Sequence, residues 1–176
     1  MSVISTQAPD SAATSYVVIY DAITAGFHTW WLALLGLIGV AAGFAAARYP
    51  DRVPAGMRFP SQLATRLFGV FFLTCALSWT IFAYVSLYDQ YAQLRQALQA
   101  GTYETVEGTV EDFVPGDPDG HAPERFTVSR HHYEYSPSRV TSGFNKISTH
   151  GGPMHAGLRV RIADVGGEIA RLEIAR

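Results

Sequence analysis

The chain has 176 residues, of which 48% are hydrophobic and only 16% are charged, and its formal net charge is −2. The charged fraction is well below the ~25% of typical soluble domains, and the apolar residues concentrate in two blocks. From Tyr88 to the C terminus, nine Lys and Arg stand against twelve Asp and Glu. This mildly acidic balance argues against nucleic-acid binding, which needs a basic surface.

Residues 1–28 are expected to form an N-terminal tail, partly disordered because its first half is rich in Ser, Thr and Ala. Its second half, "SYVVIYDAITAGF", is apolar enough to be helical or interfacial. Two uncharged blocks follow, at 29–47 and 67–87, and each has the ~20 residues that a helix needs to cross a bilayer. They predict a two-helix transmembrane hairpin.

Two alternatives for these blocks are weaker. Two buried helices of a soluble protein would need more chain than is present to cover helices that are apolar on all sides. A signal peptide in the first block would need a basic segment before it, yet no Lys or Arg precedes Arg48.

The charges of the connector between the blocks predict an orientation. Against one acid, Asp51, the connector carries four arginines: Arg48, Arg52, Arg58 and Arg66. Short loops rich in Arg and Lys stay in the cytoplasm. The protein is therefore expected in a bacterial inner membrane, with both termini in the periplasm.

Within the first block, Gly39, Gly43 and Ala47 form a stripe of small residues that permits close helix packing. Its partner is either the second helix, which the short connector favours, or a second copy of the chain. The second helix is expected to run past the membrane as a stalk to residue 100, because helical spacing of apolar residues continues until Gly101, a C-cap residue.

From residue 101 the apolar period changes from helical to two, which predicts a soluble β-domain over 101–176. Gly108, in the middle of the first strand, suggests a bulge or bend. Five or six short strands in about 75 residues favour a small antiparallel barrel of OB or SH3 size that folds alone. The predicted fold class is thus α+β, with a hairpin, a stalk and a barrel-like domain.

The runs "GTYETVEGTV", "ERFTVS", "YEYS", "GFN", "HGGP" and "VRI" resemble a layout in uncharacterised bacterial membrane proteins. In those proteins a membrane helix leads into a small β-domain that opens with a Val-Glu-Gly-x-Val strand. The resemblance covers residues 101 to 174. It implies the domain boundary and a bacterial origin, and it implies no activity.

Five of the six histidines fall between residues 121 and 155. Adjacent His131 and His132 face apart on a strand, whereas His132 and Glu134 share a face that a loop could complete with His150 or His155. These four residues are the candidate metal ligands, although no spacing encodes a zinc site. The favoured interpretation is exposed histidines, no metal and no cofactor.

The loop that contains "GFN" and "HGGP" is a candidate contact surface, through Phe144, Gly151, Gly152 and Pro153. The chemistry-bearing motifs of hydrolases and nucleotide-binding proteins are absent. The favoured function is non-enzymatic: a membrane protein whose β-domain binds a partner protein or its own copies. A metal- or ligand-binding module at 131–155 is the alternative, and an accessory enzyme at the 137–157 loop is a third.

Overall fold

The computed structural model describes residues 15–119 and 121–176, and it is an α+β fold of long helices followed by a six-stranded antiparallel sheet. In chain order the elements are β1 (Tyr16–Asp21), α1 (Ala22–Ala25), α2 (Trp31–Arg48), α3 (Gln62–Ala100), β2 (Glu104–Val114), β3 (Glu124–Val128), β4 (His131–Tyr135), β5 (Arg159–Val165) and β6 (Glu168–Ala175). The prediction of disorder falls on residues 1–14, which lie outside the described residues.

Two helical segments are candidate membrane spans by length and composition. They are His28–Arg48, with 21 residues, and Gln62–Ala100, with 39 residues. Only 6% of the most apolar stretch of each is buried. The two uncharged blocks of the sequence lie inside these segments, which is weakly compatible with a membrane protein.

Helices α2 and α3 pack closely through small residues. A Cβ added at Gly43 would lie 2.7 Å from the backbone nitrogen of Leu73, and one added at Gly39 would lie 3.3 Å from the Ala76 Cβ. On α3, a Cβ added at Gly69 would overlap the backbone of Ala47. The stripe of small residues therefore faces α3, and backbone contact depends on it.

Helix α3 is continuous to its predicted end. Ser61 caps its start, because the side chain accepts a hydrogen bond of 3.1 Å from the Ala64 N–H. At its end Gly101 adopts the left-handed conformation, with φ of 69°, and the Thr102 N–H donates to the Ala97 carbonyl. That six-residue bond is the Schellman motif, and it satisfies a carbonyl that the helix end leaves free.

The last turns of α3 are packed on the sheet. Leu94 and Leu98 are 5% and 7% exposed, and they contact Ala163 on β5 and Ala170 on β6. Alanines at these two strand positions let the helix approach the sheet. The predicted stalk is therefore a layer of the β-domain rather than a spacer.

The strand order of the sheet is β1-β6-β5-β2-β3-β4, and the sheet is not closed into a barrel. The barrel expectation is corrected, and so is the expectation that residues 16–21 are helical or interfacial. Strand β1 pairs antiparallel with β6, from Tyr16 opposite Ala175 to Asp21 opposite Arg171. The Asp21 carboxylate fixes this edge, since it lies 2.7 Å from Arg171 Nε and caps α1 at the Ile23 N–H.

Gly108 serves a different purpose from the predicted bulge. It pairs in register with Val160, and the irregularity of β2 lies between Glu111 and Val114. A Cβ at Gly108 would lie 2.5 Å from Ser129 Oγ, and that hydroxyl donates to the Glu107 carbonyl at 2.6 Å. Gly108 thus leaves room for Ser129, in the turn between β3 and β4, to pack on β2.

The main core lies on the other face of the sheet. It joins alternate residues of the strands with three residues of the 137–157 loop, and it comprises Val106, Val110, Phe126, Val128, Tyr133, Tyr135, Phe144, Ile147, Met154, Val160, Ile162, Ile169 and Leu172. The sheet is therefore covered on one face by its own loop and on the other by α1 and the end of α3.

Candidate functional site

The four candidate metal ligands each have a different neighbour. Glu134 lies 3.3 Å from Arg125, and His132 is exposed on the same face of β4. His150 Nε2 lies 2.9 Å from the Pro118 carbonyl, and His155 Nδ1 lies 2.9 Å from the Ala156 carbonyl. Within residues 15–119 and 121–176, no three His, Cys, Asp or Glu side chains converge as metal ligands.

The predicted contact loop is largely built into the core. Phe144 is 6% exposed, with its ring against Tyr20 and Tyr135, and its N–H donates to the Ile169 carbonyl at 2.9 Å. Gly151 has a φ of 77° and ends the 3₁₀ turn Ser148–His150. These residues hold the loop, and the Phe144 side chain is almost fully covered by the rest of the chain.

Gly152 and Pro153 complete this loop. A Cβ at Gly152 would overlap the Lys146 carbonyl, and the Gly152 N–H donates to the Ile147 carbonyl at 2.8 Å. Pro153, which follows, is partly buried. The Gly-Gly-Pro sequence is thus required by close backbone packing, and only Gly151 of this run is exposed.

A buried carboxylate anchors the same loop to the sheet. Glu124, at the start of β3, is 0% exposed and accepts hydrogen bonds from the Tyr135 hydroxyl at 2.6 Å and the Ser148 N–H at 2.7 Å. The Ser148 hydroxyl donates a further short bond to the same carboxylate. With three donors the charge is satisfied, so this group is structural.

Strand β4 is a regular edge strand of the sheet. Five consecutive residues pair with β3, from Val128 opposite His131 to Glu124 opposite Tyr135. The two-residue turn Ser129-Arg130 has φ values of 46° and 73°, as in a type I′ hairpin. In such a hairpin the residues that flank the turn exchange both hydrogen bonds, so the alternate residues, His132 and Glu134, direct their N–H and C=O groups outward.

The opposite edge is less regular. In β1 the register shifts between Val18 and Tyr20, so Ile19 has no partner on β6. A bulge twists an edge and hinders the addition of another strand. Of the two sheet edges in the described part of the chain, β4 is the better template for an incoming strand.

A polar cleft opens at the first residue of β4. Its volume is about 420 Å³, and its lining includes Glu104, His131, Asp164 and the β5–β6 turn. Glu104 and Asp164 are directly opposite on β2 and β5, an arrangement in which two carboxylates repel. His131 Nε2 lies 3.4 Å from Glu104, and the Gly167 N–H donates to Asp164 at 2.7 Å.

Tyr133 lies beneath this cleft. It is 2% exposed, and its hydroxyl has no hydrogen-bond partner of normal geometry among the described residues, although the Asp164 carboxylate is its neighbour. Burial raises the pKa of Tyr133 well above its usual value, and Asp164 raises it further. The site thus combines two carboxylates, an imidazole and a buried phenol.

Both adjacent histidines of β4 border this cleft, and His131 is the one that lies 3.4 Å from Glu104. Alternation places His131 on the same face as Tyr133 and Tyr135, whereas His132 and Glu134 face solvent. The two aromatic residues signalled which face was buried. Glu104 and Asp164 could not be joined to His131 from sequence, because their pairing depends on the strand order.

Buried tyrosines make the fold sensitive to alkali. Burial raises the pKa of Tyr20 to about 12, and burial together with the Glu124 hydrogen bond raises the pKa of Tyr135 further. An unfolded chain loses these protons near pH 10, so the stability that they contribute is present below pH 10 and falls above it. Above pH 10, Tyr20, Tyr133 and Tyr135 together should lower the free energy of unfolding by roughly 4 kcal/mol per pH unit.

We therefore expect cooperative unfolding between pH 10 and 12, followed by circular dichroism and tyrosinate absorbance on the same samples. Tyr20→Phe should reduce the slope by about a third. Complete formation of tyrosinate while the β signal persists would contradict the prediction.

Comparison with known proteins finds no family model, no curated protein and no solved structure that matches this chain.

Proposed function

We propose that this chain is a non-enzymatic protein of the bacterial inner membrane whose β-domain binds an extended segment of a partner protein along β4. The observation that carries the proposal is the regular edge strand β4, which pairs with β3 alone, beside an acidic cleft. A partner segment would add a seventh strand to the sheet, with main-chain hydrogen bonds to His132 and Glu134.

The cleft defines the chemistry of the partner segment. Glu104 and Asp164 repel each other across the strands, so a Lys or Arg side chain between them would remove that repulsion. An incoming strand on β4 passes the cleft at His131, which lines it. The proposed partner therefore carries a basic residue in an extended segment.

Membrane attachment would hold this edge at a constant height above the bilayer. Helix α3 continues without a break from its apolar stretch into the sheet contacts at Leu94 and Leu98. Phe27, just before α2, packs on Tyr84 and Tyr88 with ring centroids 5.7 Å apart. Aromatic residues of this kind favour the membrane interface.

Orientation is tested with topology reporters. The arginine-rich connector favours the cytoplasm, so a reporter inserted near Ala55 is expected to read as cytoplasmic and one fused after Arg176 as periplasmic. A cytoplasmic signal from the fusion after Arg176 would reverse the proposed orientation.

The binding edge is tested by photo-crosslinking from position 132 in intact membranes. In the same chain, Glu134→Pro keeps the ladder to β3, because the Glu134 N–H points outward, but it blocks an added strand. We expect Glu134→Pro to abolish the adduct and Glu134→Ala to retain it, with both variants melting cooperatively. Glu104→Gln should weaken the adduct.

A crosslinker at Val18, on the bulged edge, serves as the positional control and should give no adduct. An adduct from position 132 that survives Glu134→Pro would refute the strand-addition proposal. An adduct containing only a second copy of this chain would assign the edge to self-association.

A further inference from the structure

The connector end of α2 and α3 encloses an apolar groove that the proposed function does not use. Its volume is about 520 Å³. Small residues form the floor of the groove, where the two helices are in contact, and larger apolar side chains border it: Gly43, Ala46, Gly69, Met57, Phe68 and Phe72. Met57 is 76% exposed at the rim. A groove of this composition suits a hydrocarbon chain.

Two arginines stand at the mouth of the groove around one aromatic ring. The guanidinium carbons of Arg48 and Arg52 lie 5.2 Å and 5.0 Å from the centre of the Tyr49 ring, and Tyr49 and Arg52 both line the groove. Among the ion pairs of the described residues, none includes either arginine.

Other groups of the connector are engaged elsewhere. The Asp51 carboxylate accepts a hydrogen bond of 2.7 Å from the Gln62 amide, and the Arg58 guanidinium donates to the carbonyls of Asp51 and Val53. The connector therefore supplies no carboxylate partner to Arg48 and Arg52. Two positive charges are left beside an apolar groove, and they complement a ligand with an anionic head and an apolar tail.

We propose that this groove binds an anionic glycerophospholipid, with an acyl chain along the groove, over the contact of α2 with α3, and the phosphate at Arg48 and Arg52. The proposal rests on the proposed membrane insertion. Basic pockets between membrane helices at the positively charged side are typical sites for such head groups. A free phosphate would leave the groove empty, and a zwitterionic lipid would bring its own cation to the arginines.

Native mass spectrometry of the full chain in a non-ionic detergent tests this site. Phosphatidylglycerol and phosphatidylcholine with the same acyl chains are added at equal concentration, and one-to-one adducts are compared. We expect a preference for phosphatidylglycerol, because each arginine near the phosphate strengthens binding about fivefold. The double variant Arg48→Ala/Arg52→Ala should lose that preference.

Two further variants separate the head group from the groove. Arg95→Ala removes an exposed arginine of α3 distant from the groove and should leave the preference intact. Ala42→Phe places a ring in the groove, since Ala42 lines it, and should reduce the adducts of both lipids. Equal binding of the two lipids by the wild type, or an unchanged preference in the double arginine variant, would overturn the proposal.

Membrane insertion is measured separately by extraction of the membranes with alkaline carbonate. Release of the chain into the supernatant would refute membrane anchoring and the lipid site together. Retention in the membrane without a preference for phosphatidylglycerol would refute the lipid site alone. A lipid-free dimer that Ala42→Phe disrupts would assign the groove to a second copy and would also overturn the lipid proposal.

Discussion

A fragment of residues 101–176 is expected to be unfolded or molten in water, although the sequence predicts that it folds alone. The fragment lacks β1, which pairs along β6, and it lacks the end of α3. The loss of Leu94 and Leu98 alone removes about 1.5–3 kcal/mol of hydrophobic stabilisation for each buried leucine. A domain of this size has a margin of only a few kcal/mol, so these losses exceed what it can tolerate.

The N-terminal segment contributes more than strand pairing. Tyr20 donates a hydrogen bond of 2.6 Å to the Ser142 carbonyl, and its ring packs on Phe144. The Asp21–Arg171 ion pair joins positions that are 150 residues apart in sequence. The fragment therefore also loses contacts that hold the 137–157 loop.

The matched control adds the missing segments without the candidate membrane spans. Residues 15–26 are joined by a Gly/Ser linker to residues 88–176, and this protein should show a cooperative melt and dispersed amide resonances. A cooperative melt of the 101–176 fragment by itself would show that the helix and β1 are dispensable.

Glu124→Ala is expected to destabilise the β-domain by about 3–5 kcal/mol, enough to unfold most molecules at 37 °C. The substitution leaves the Tyr135 hydroxyl and the Ser148 N–H without the acceptor at 2.6–2.7 Å. Each unsatisfied buried group costs about 1–3 kcal/mol, and the lost side-chain volume adds a cavity. Thermal or urea melts of the full chain in detergent measure the effect.

Glu134→Ala is the control because it removes an exposed carboxylate from a neighbouring strand. Its partner Arg125 lies 3.3 Å away, and both side chains are about half exposed. A surface ion pair of this kind contributes about 0–1 kcal/mol. Hydrogen exchange at Ser148 should accelerate in Glu124→Ala but not in Glu134→Ala. Equal melting temperatures of the two variants would contradict the anchoring role assigned to Glu124.

Local signals in the sequence predicted the local structure well. The two uncharged blocks lie inside helices, Gly101 ends α3, and residues with a period of two form β2 to β6. These features depend on neighbours in the chain, such as capping groups and the alternation of apolar residues. Features that depend on contacts between distant segments leave no such local signal, so they were missed. The apolar run at 16–21 is compatible with a helix or a strand, and only its pairing with β6 decides between them.

By itself, the sequence determined the element types from residue 31 onward, the small-residue stripe and the arginine-rich connector, because each is a property of adjacent residues or of helical spacing. Only the tertiary structure decided that the sheet is open, that the end of α3 forms one of its layers, and that the start of β4 lies beside Glu104 and Asp164. Those outcomes depend on strand order and on which face of each strand is covered. Both are set by the burial of apolar side chains from segments that are more than a hundred residues apart, such as Tyr20 against Phe144.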